Sequence, residues 1–257
     1  MATSLPSLLI LGGKMIKVDN LTKQFGKKIA VNNISFCAES GAITGLIGSN
    51  GSGKSTTMRM IATLLKPDKG TILIDDIDTV KQPHKARERI GILLGGAVSL
   101  YERLTAKENI LYFADLQNVE RTTAEQRLNE LTGILGMSDY IDRRVSGFSR
   151  GMRQKVAFAR SIIHSPDVLL LDEPSTGLDI NSIRDVQSFI LYCKSLGKTI
   201  LLSTHNAHEM ECLCDNFVFI ENGIIVAQGE KKALLQESGC SNTADLFFHY
   251  RERSLQQ

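Results

Sequence analysis

Gly48-Ser49-Asn50-Gly51-Ser52-Gly53-Lys54-Ser55, followed by Thr56, sets glycines, a lysine and hydroxyls at the spacing that wraps a backbone around phosphate. Glycines let successive N–H groups turn toward phosphate oxygens. Lys54 adds a mobile cation for the outer phosphates, and the Ser55 hydroxyl suits Mg²⁺. A Gly/Ser-rich surface turn is the plain alternative. A dinucleotide loop fits less well, because it has no Lys-Ser pair after its last glycine and wants an acidic ribose ligand further on. Two carboxylates, Asp172-Glu173, close the apolar run Val168 to Leu171. At the C-terminal edge of a strand, Asp172 can hold Mg²⁺ while Glu173 polarises an attacking water; a structural acid pair capping the next segment is the alternative. Ser149 and Gly151 offer a hydroxyl and a flexible backbone at the opening of a helical run, a second anion-binding N-terminus. A nucleoside triphosphate with Mg²⁺ is the ligand these residues imply.

Such residues need particular elements behind them. Ala42 to Ile47 reads as a buried strand ahead of the loop, and Met58, Ile61 and Leu65 recur at helical spacing after it. The strand, loop, helix order places the phosphates at a helix N-terminus, where unpaired N–H groups and the helix dipole favour an anion. Val168 to Leu171 and Thr199 to Ser203 are uninterrupted apolar strands, with Ile183, Val186, Phe189, Ile190 and Cys193 marking one helix face between them. Phe217 to Ile220 and Ile224 to Val226 flank Glu221-Asn222-Gly223, a hairpin signal. Residues 105–160 change to helical patterning, with stripes Ile110, Phe113, Leu116 and Leu128, Leu131, Ile134, Leu135. The expected fold class is α/β: a mostly parallel sheet flanked by helices in the manner of a P-loop NTPase (RecA-like). It carries an N-terminal antiparallel β-subdomain and a helical insert subdomain.

The 257 residues suffice for one large domain, and 42% hydrophobic with 23% charged residues is ordinary globular composition. A net charge of +2 argues against a dedicated nucleic-acid binder, so no nucleic-acid partner is expected. No apolar run is long enough to cross a bilayer, and Leu5 to Leu11 is too short and lacks a basic flank, so a cytoplasmic location is expected. Five cysteines in such a chain argue against a disulfide framework; Cys37 and Cys193 sit among apolar neighbours. His205, His208, Cys212 and Cys214 crowd together as conceivable zinc ligands, with His205 and His208 able to share a helix face. The spacing of Cys212 and Cys214 is too tight for the usual knuckle.

The ordered set made by Gly48 to Thr56, Ser149-Arg150-Gly151-Met152, Asp172-Glu173, Ser175 to Asp179 and His205 resembles the nucleotide-binding subunit of an ATP-binding cassette (ABC) transporter. The resemblance spans about 15–233. It implies a single nucleotide-binding domain over 15–240, with its helical subdomain at about 105–160, an N-terminal extension 1–14 and a C-terminal tail 241–257. By the same resemblance Ser149 to Met152 is the signature segment that caps ATP held by the other subunit of a head-to-tail dimer. Asp179 belongs to a loop crossing that dimer interface, His205 contacts the γ-phosphate and positions the water, and Phe25 stacks on adenine, with core packing as its alternative. A separate transmembrane permease is the implied partner, placing the chain on the inner face of the cell membrane. Residues 91–109 with 148–152 are similar to the sodium-extruding, NatA-type branch of bacterial exporters, with multidrug, antibiotic or polysaccharide export as the second reading. Two departures stand out. Gly95 occupies the place of a glutamine that touches Mg²⁺ and relays the nucleotide state to the membrane partner, and Arg150 and Met152 replace the usual glycine and glutamine. The expectation is retained ATP binding with slower or differently coupled hydrolysis. DNA-repair, chromosome or ribosome ATPases without a membrane partner, and an ATP sensor without turnover, are the readings of another class.

Overall fold

The computed structural model describes residues 15–94 and 99–255; the extension 1–14 and the Gly95 position lie outside the described residues. The chain opens with β1 (Ile16–Phe25) and β2 (Lys28–Ala38), paired antiparallel. Next come β3 (Ile43–Ile47), α1 (Lys54–Ile61), β4 (Lys69–Ile74) and β5 (Ile77–Asp78). The order β2-β1-β4-β5 makes a four-stranded antiparallel sheet. Ile16, Val18 and Leu21 of β1 point inward while Lys17 and Asp19 are exposed, the alternation a one-sided sheet requires. Cys37 follows the same rule: it is exposed, contrary to the apolar company its sequence neighbours suggested, because Phe36 and Ala38 take the buried positions on either side.

A second sheet is built from β3, then β6 (Ile90–Leu93), β7 (Val168–Asp172), β8 (Thr199–Thr204), β9 (Asn216–Glu221) and β10 (Ile224–Glu230), in the order β10-β9-β3-β8-β7-β6. All neighbours are parallel except β9 and β10, which form a hairpin. Asn222 and Gly223 turn it with φ of 50° and 80°, the positive pair that matches strand twist in a two-residue turn. Every residue of β3, β7 and β8 is buried, which explains their unbroken apolar or small-residue runs. Strand alternation then shares the side chains between two cores. Ile43, Ile47, Leu169, Leu171, Ile200 and Leu202 face helices, whereas Leu46, Leu170 and Leu201 face the antiparallel sheet and Met58 and Ile61 of α1. Each such buried aliphatic side chain stabilises the fold by roughly 1.5–3 kcal/mol relative to exposure.

The remaining helices are α2 (Pro83–Glu88), α3 (Ala106–Leu116), α4 (Arg121–Ile134), α5 (Arg150–Ile162), α6 (Ile180–Ser195), α7 (Ala207–Leu213), α8 (Lys231–Ser238) and α9 (Thr243–Leu255). Thr105 starts α3 with a capping box: its hydroxyl accepts the Glu108 N–H at 3.1 Å, and Glu108 accepts the Thr105 N–H at 2.7 Å. Two expected stripe positions are not on the buried face, since Leu116 is 57% and Ile134 40% exposed. A run of three-residue steps slips about 60° per step against a helix of 100° per residue, so the third member leaves the face. Ala106, Asn109, Ile110, Leu111 and Ala114 on α3, and Ala124, Leu128 and Leu131 on α4 with Leu135 after it, are the buried sets. Leu65, likewise, lies beyond the end of α1. No helix among the described residues is long and apolar enough to cross a membrane.

Candidate active site

The parallel register brings the C-terminal ends of β3, β7 and β8 to one edge, with Ile47 opposite Thr204 and Asp172 opposite Ser203. Open α/β sheets present their ligands at this edge. Residues 48–53 leave β3 and enter α1 with Gly53 as N-cap at φ 115°, so the first turn of α1 aims its unpaired N–H groups into the loop. Asn50, Gly51, Lys54, Ser55 and Thr56 line a cavity of about 260 Å³, joined by Phe25 from the end of β1 and by Glu173. Phe25 is 50% exposed, which removes core packing as its role. Lys23 sits 5.6 Å from the centre of its ring.

Lys54 is buried, and its ammonium donates to the Gly48 and Ser49 carbonyls at 2.8 and 2.9 Å. Burial pushes its pKa below the usual lysine range, while the charges of Glu173, Asp172 and Glu221 push back. Ser55 Oγ lies 3.3 Å from Asp172 Oδ1, which also accepts from the buried Ser203 hydroxyl. A hydroxyl and a carboxylate from neighbouring elements are hard oxygen donors, the set that suits a small divalent cation.

Glu173 departs from the strand at φ 48°, in the left-handed region, with its N–H held by the Ser203 carbonyl at 3.0 Å. Such backbone costs about 1–3 kcal/mol and concentrates at functional sites. Its Oε1 lies 3.0 Å from His205 Nδ1, and its Oε2 accepts from Thr176 Oγ1 at 3.2 Å. His205 is half-exposed and follows β8 directly, so the imidazole meets the carboxylate across the sheet edge. With Nδ1 engaged, Nε2 has no protein partner among the described residues. The pair can orient a water and move its proton.

Ser149 to Met152 lies elsewhere. Ser149 is the N-cap of α5, its hydroxyl accepting the Met152 N–H at 3.3 Å; Ser149 and Arg150 are exposed, and Met152 packs partly on the core. Gly151 is buried against the start of α6, where a Cβ would come within 2.2 Å of Ser182 Oγ. Asp179 caps α6 by accepting the Ser182 N–H at 3.0 Å and its hydroxyl at 2.7 Å, and the backbone bond holds its carboxyl below the usual range. The Arg150 guanidinium occupies the space beside Gly177. Two helix N-termini thus abut, and none of these residues lines the cavity at Lys54.

The imagined zinc group disperses. His205 precedes α7 and so shares no helix face with His208. Cys214 is buried, with its thiol pushed up by burial. Only His208 and Cys212 meet, one helical turn apart at 3.6 Å, and among the described residues no three such ligands converge. Several partners of the site residues escaped the motif reading: Ser203 beside Asp172, Gln154 donating from α5 to the Pro174 carbonyl at 2.8 Å, and Glu221 on Ser49; Thr176, which donates to Glu173, lay inside Ser175 to Asp179 without a role of its own. Ser203 was visible only as a polar residue near the end of an apolar strand. Glu221 was visible only as part of a turn.

A phosphate loop at a helix N-terminus, paired carboxylates on one neighbouring strand and a histidine after the next define a P-loop NTPase of the ATP-binding cassette kind. The chain belongs to the ABC transporter family, whose model matches residues 31–176. The ABC transporter ATP-binding protein NatA of Bacillus subtilis (strain 168) is 46% identical over 226 residues, 86% of this chain and 92% of that protein. The daunorubicin/doxorubicin resistance ATP-binding protein DrrA of Streptomyces peucetius is 36% identical over 236 residues, 92% of this chain and 71% of that one. A solved ATP-binding subunit of an ABC transporter superposes with a TM-score of 0.85 at 28% identity, covering 92% of this chain and 99% of the other. The chain is the ATP-binding subunit of an ABC exporter, and its ATP hydrolysis is coupled to transport.

Proposed function

We propose that this chain powers solute efflux through a separate transmembrane permease, on the inner face of the cell membrane, by closing head-to-tail on ATP with a second copy of itself. The observation that carries the reading is the division of the site: Gly48 to Thr56, Asp172, Glu173 and His205 share one sheet edge, while none of Ser149 to Met152 lines the cavity at Lys54. One copy then holds the nucleotide and the other closes over it.

In this scheme Lys54 and the N–H groups of 51–56 bind the triphosphate, and Phe25 stacks on adenine at the cavity mouth. Ser55 and Asp172 would hold Mg²⁺, which neutralises phosphate charge when bound. Glu173 accepts the proton of the attacking water, and His205, bonded to it, fixes the direction of approach. Ser149 and Gly151 present the N-terminus of α5 to the γ-phosphate of the partner copy, flanked by Arg150 and Met152, and Asp179 lies on the loop that crosses the interface. With Gly95 in the glutamine position and Arg150 in a glycine position, we expect ATP binding to be retained and turnover to be slower or differently coupled.

Sodium is the solute indicated by the resemblance of 91–109 and 148–152 to NatA-type subunits, and 46% identity to NatA supports that branch. The drug-resistance relative supports efflux of an organic cytotoxic compound as the second reading. Reconstitution in vesicles with the membrane protein encoded beside this chain separates them: ATP-driven movement of ²²Na⁺ supports the first, and movement of an anthracycline without sodium supports the second. Movement of neither solute by a reconstituted pair that hydrolyses ATP would overturn both.

A further inference from the structure

Lys54 and Asp172 are explained by the phosphate site, but one buried carboxylate beside the loop is not. Glu221, the last residue of β9, is 7% exposed and forms no ion pair among the described residues. Withdrawing an ionised carboxylate from water is costly unless hydrogen bonds replace the lost hydration. Both of its oxygens are satisfied by a single residue of the phosphate loop: Oε1 accepts the Ser49 N–H at 2.8 Å, and Oε2 accepts the Ser49 hydroxyl at 2.6 Å. The two residues are 172 positions apart in sequence.

The hairpin around Glu221 reinforces the contact. β9 runs parallel beside β3 up to the pair Ile47 and Phe219. One step further, a Cβ on Gly48 would lie 2.0 Å from the Ile220 carbonyl, so loop and strand touch backbone to backbone. Gly223, across the turn, donates its N–H to the Ser52 carbonyl at 2.9 Å. The loop is therefore gripped near its start and again at Ser52 by the β9–β10 turn. Ser49 passes the constraint on, because its own carbonyl and that of Gly48 receive the Lys54 ammonium. The Glu221 charge also favours the protonated form of the buried lysine without pairing with it.

We propose that Glu221 is a positioning residue for triphosphate binding, pinning Ser49 so that the loop and Lys54 are preset before the nucleotide arrives. The proposal rests on the ATP reading above. It assigns Glu221 no role in the bond-breaking step, which separates it from Glu173. A carboxylate does this better than an amide, since both oxygens accept while a glutamine would aim N–H at N–H or force the serine hydroxyl to turn.

The test is ATP binding by calorimetry on the full chain, with circular dichroism confirming the fold, alongside turnover at saturating ATP. Glu221→Ala is expected to raise the ATP Kd by about 10-fold to 100-fold, the loss associated with hydrogen bonds to a buried charged group, and Glu221→Gln by less. Turnover at saturating ATP should fall by a smaller factor than the Kd rises, as for a group that acts chiefly on binding. Ser49→Ala should have a small effect alone and none when added to Glu221→Ala, because both changes break one contact. Unchanged Kd with a lowered Tm in Glu221→Gln, additive effects of the two sites, or a fall in turnover at constant Kd would each overturn the proposal. A parent chain that binds no ATP would instead overturn the nucleotide reading itself.

Discussion

The loop around Lys54 and the segment around Ser149 are both helix N-termini able to receive an anion, yet they are built in opposite ways. Lys54 is buried, and the hydroxyl of Ser55 and the carboxylates of Asp172 and Glu173 already have partners from β7, β8 and the loops that follow them. Ser149 and Arg150 are exposed, and the contacts that matter around them run backward, through Gly151 to Ser182 and through Gln154 to Pro174. The first region is preorganised toward a ligand held by its own chain. The second is held from behind and exposed in front, the arrangement expected if a second copy brings the nucleotide to it. Gln154 joins the two, since Pro174, whose carbonyl it holds, directly follows Glu173.

Removing the ammonium from the first region should have the largest effect. Lys54→Ala is expected to weaken ATP binding by at least about 100-fold, roughly 3 kcal/mol, measured by calorimetry. A variant binding as the parent does would erase the distinction between the two regions. Next comes Glu173→Gln, which should lower turnover by about 10²-fold to 10⁴-fold while leaving ATP affinity intact. It should also form a stable dimer on ATP in size-exclusion chromatography. A persistently monomeric variant at saturating ATP would count heavily against a site shared between copies.

Gly151→Ala probes the second region alone. The added methyl collides with Ser182, costing about 1–3 kcal/mol of stability. ATP binding to the monomer should be unchanged while dimerisation and turnover fall by about tenfold or more, because α5 is displaced from its closing position. Weaker ATP binding by the monomer would show that both regions act within one copy. The smallest effect is a proton signature at Lys54. Burial lowers its pKa in the free chain, and phosphate charge must raise it again on binding. In the alkaline range, as pH climbs toward the lowered value, the free chain has lost part of a proton that the complex retains. Binding should therefore take up protons there, and the heat should differ between buffers of different ionisation enthalpy. No uptake in that range would mean that the nucleotide leaves the ammonium's surroundings unaltered.

Much of the first region was legible in advance. Gly48 to Ser55 marks a phosphate loop through glycine spacing, and Val168 to Leu171 declares a strand buried on both faces, so Asp172 and Glu173 had to emerge at a sheet edge. Local chemistry of this kind needs no knowledge of distant residues. The helix faces were less legible, as Leu116 and Ile134 demonstrate, because three-residue spacing is a weaker witness to a buried stripe than alternating steps of three and four. Ser203 and Glu221 were not legible as site residues. A serine ending a strand and a glutamate beginning a turn have ordinary local explanations, and nothing near them in sequence mentions Asp172 or Ser49.

The sequence by itself determined the class of fold, the order of the motifs and the residue types whose chemistry suits phosphate and water, since each is a short-range statement about spacing and residue type. Tertiary structure decided which groups share an edge. Parallel pairing of β7 with β8 puts Ser203 on Asp172 and His205 beside Glu173, pairing of β3 with β9 puts Glu221 under Ser49, and the approach of α5 to α6 packs Gly151 against Ser182. Strand order and helix contact are set by how two cores divide the alternate residues of one sheet, a global packing outcome that no single segment encodes.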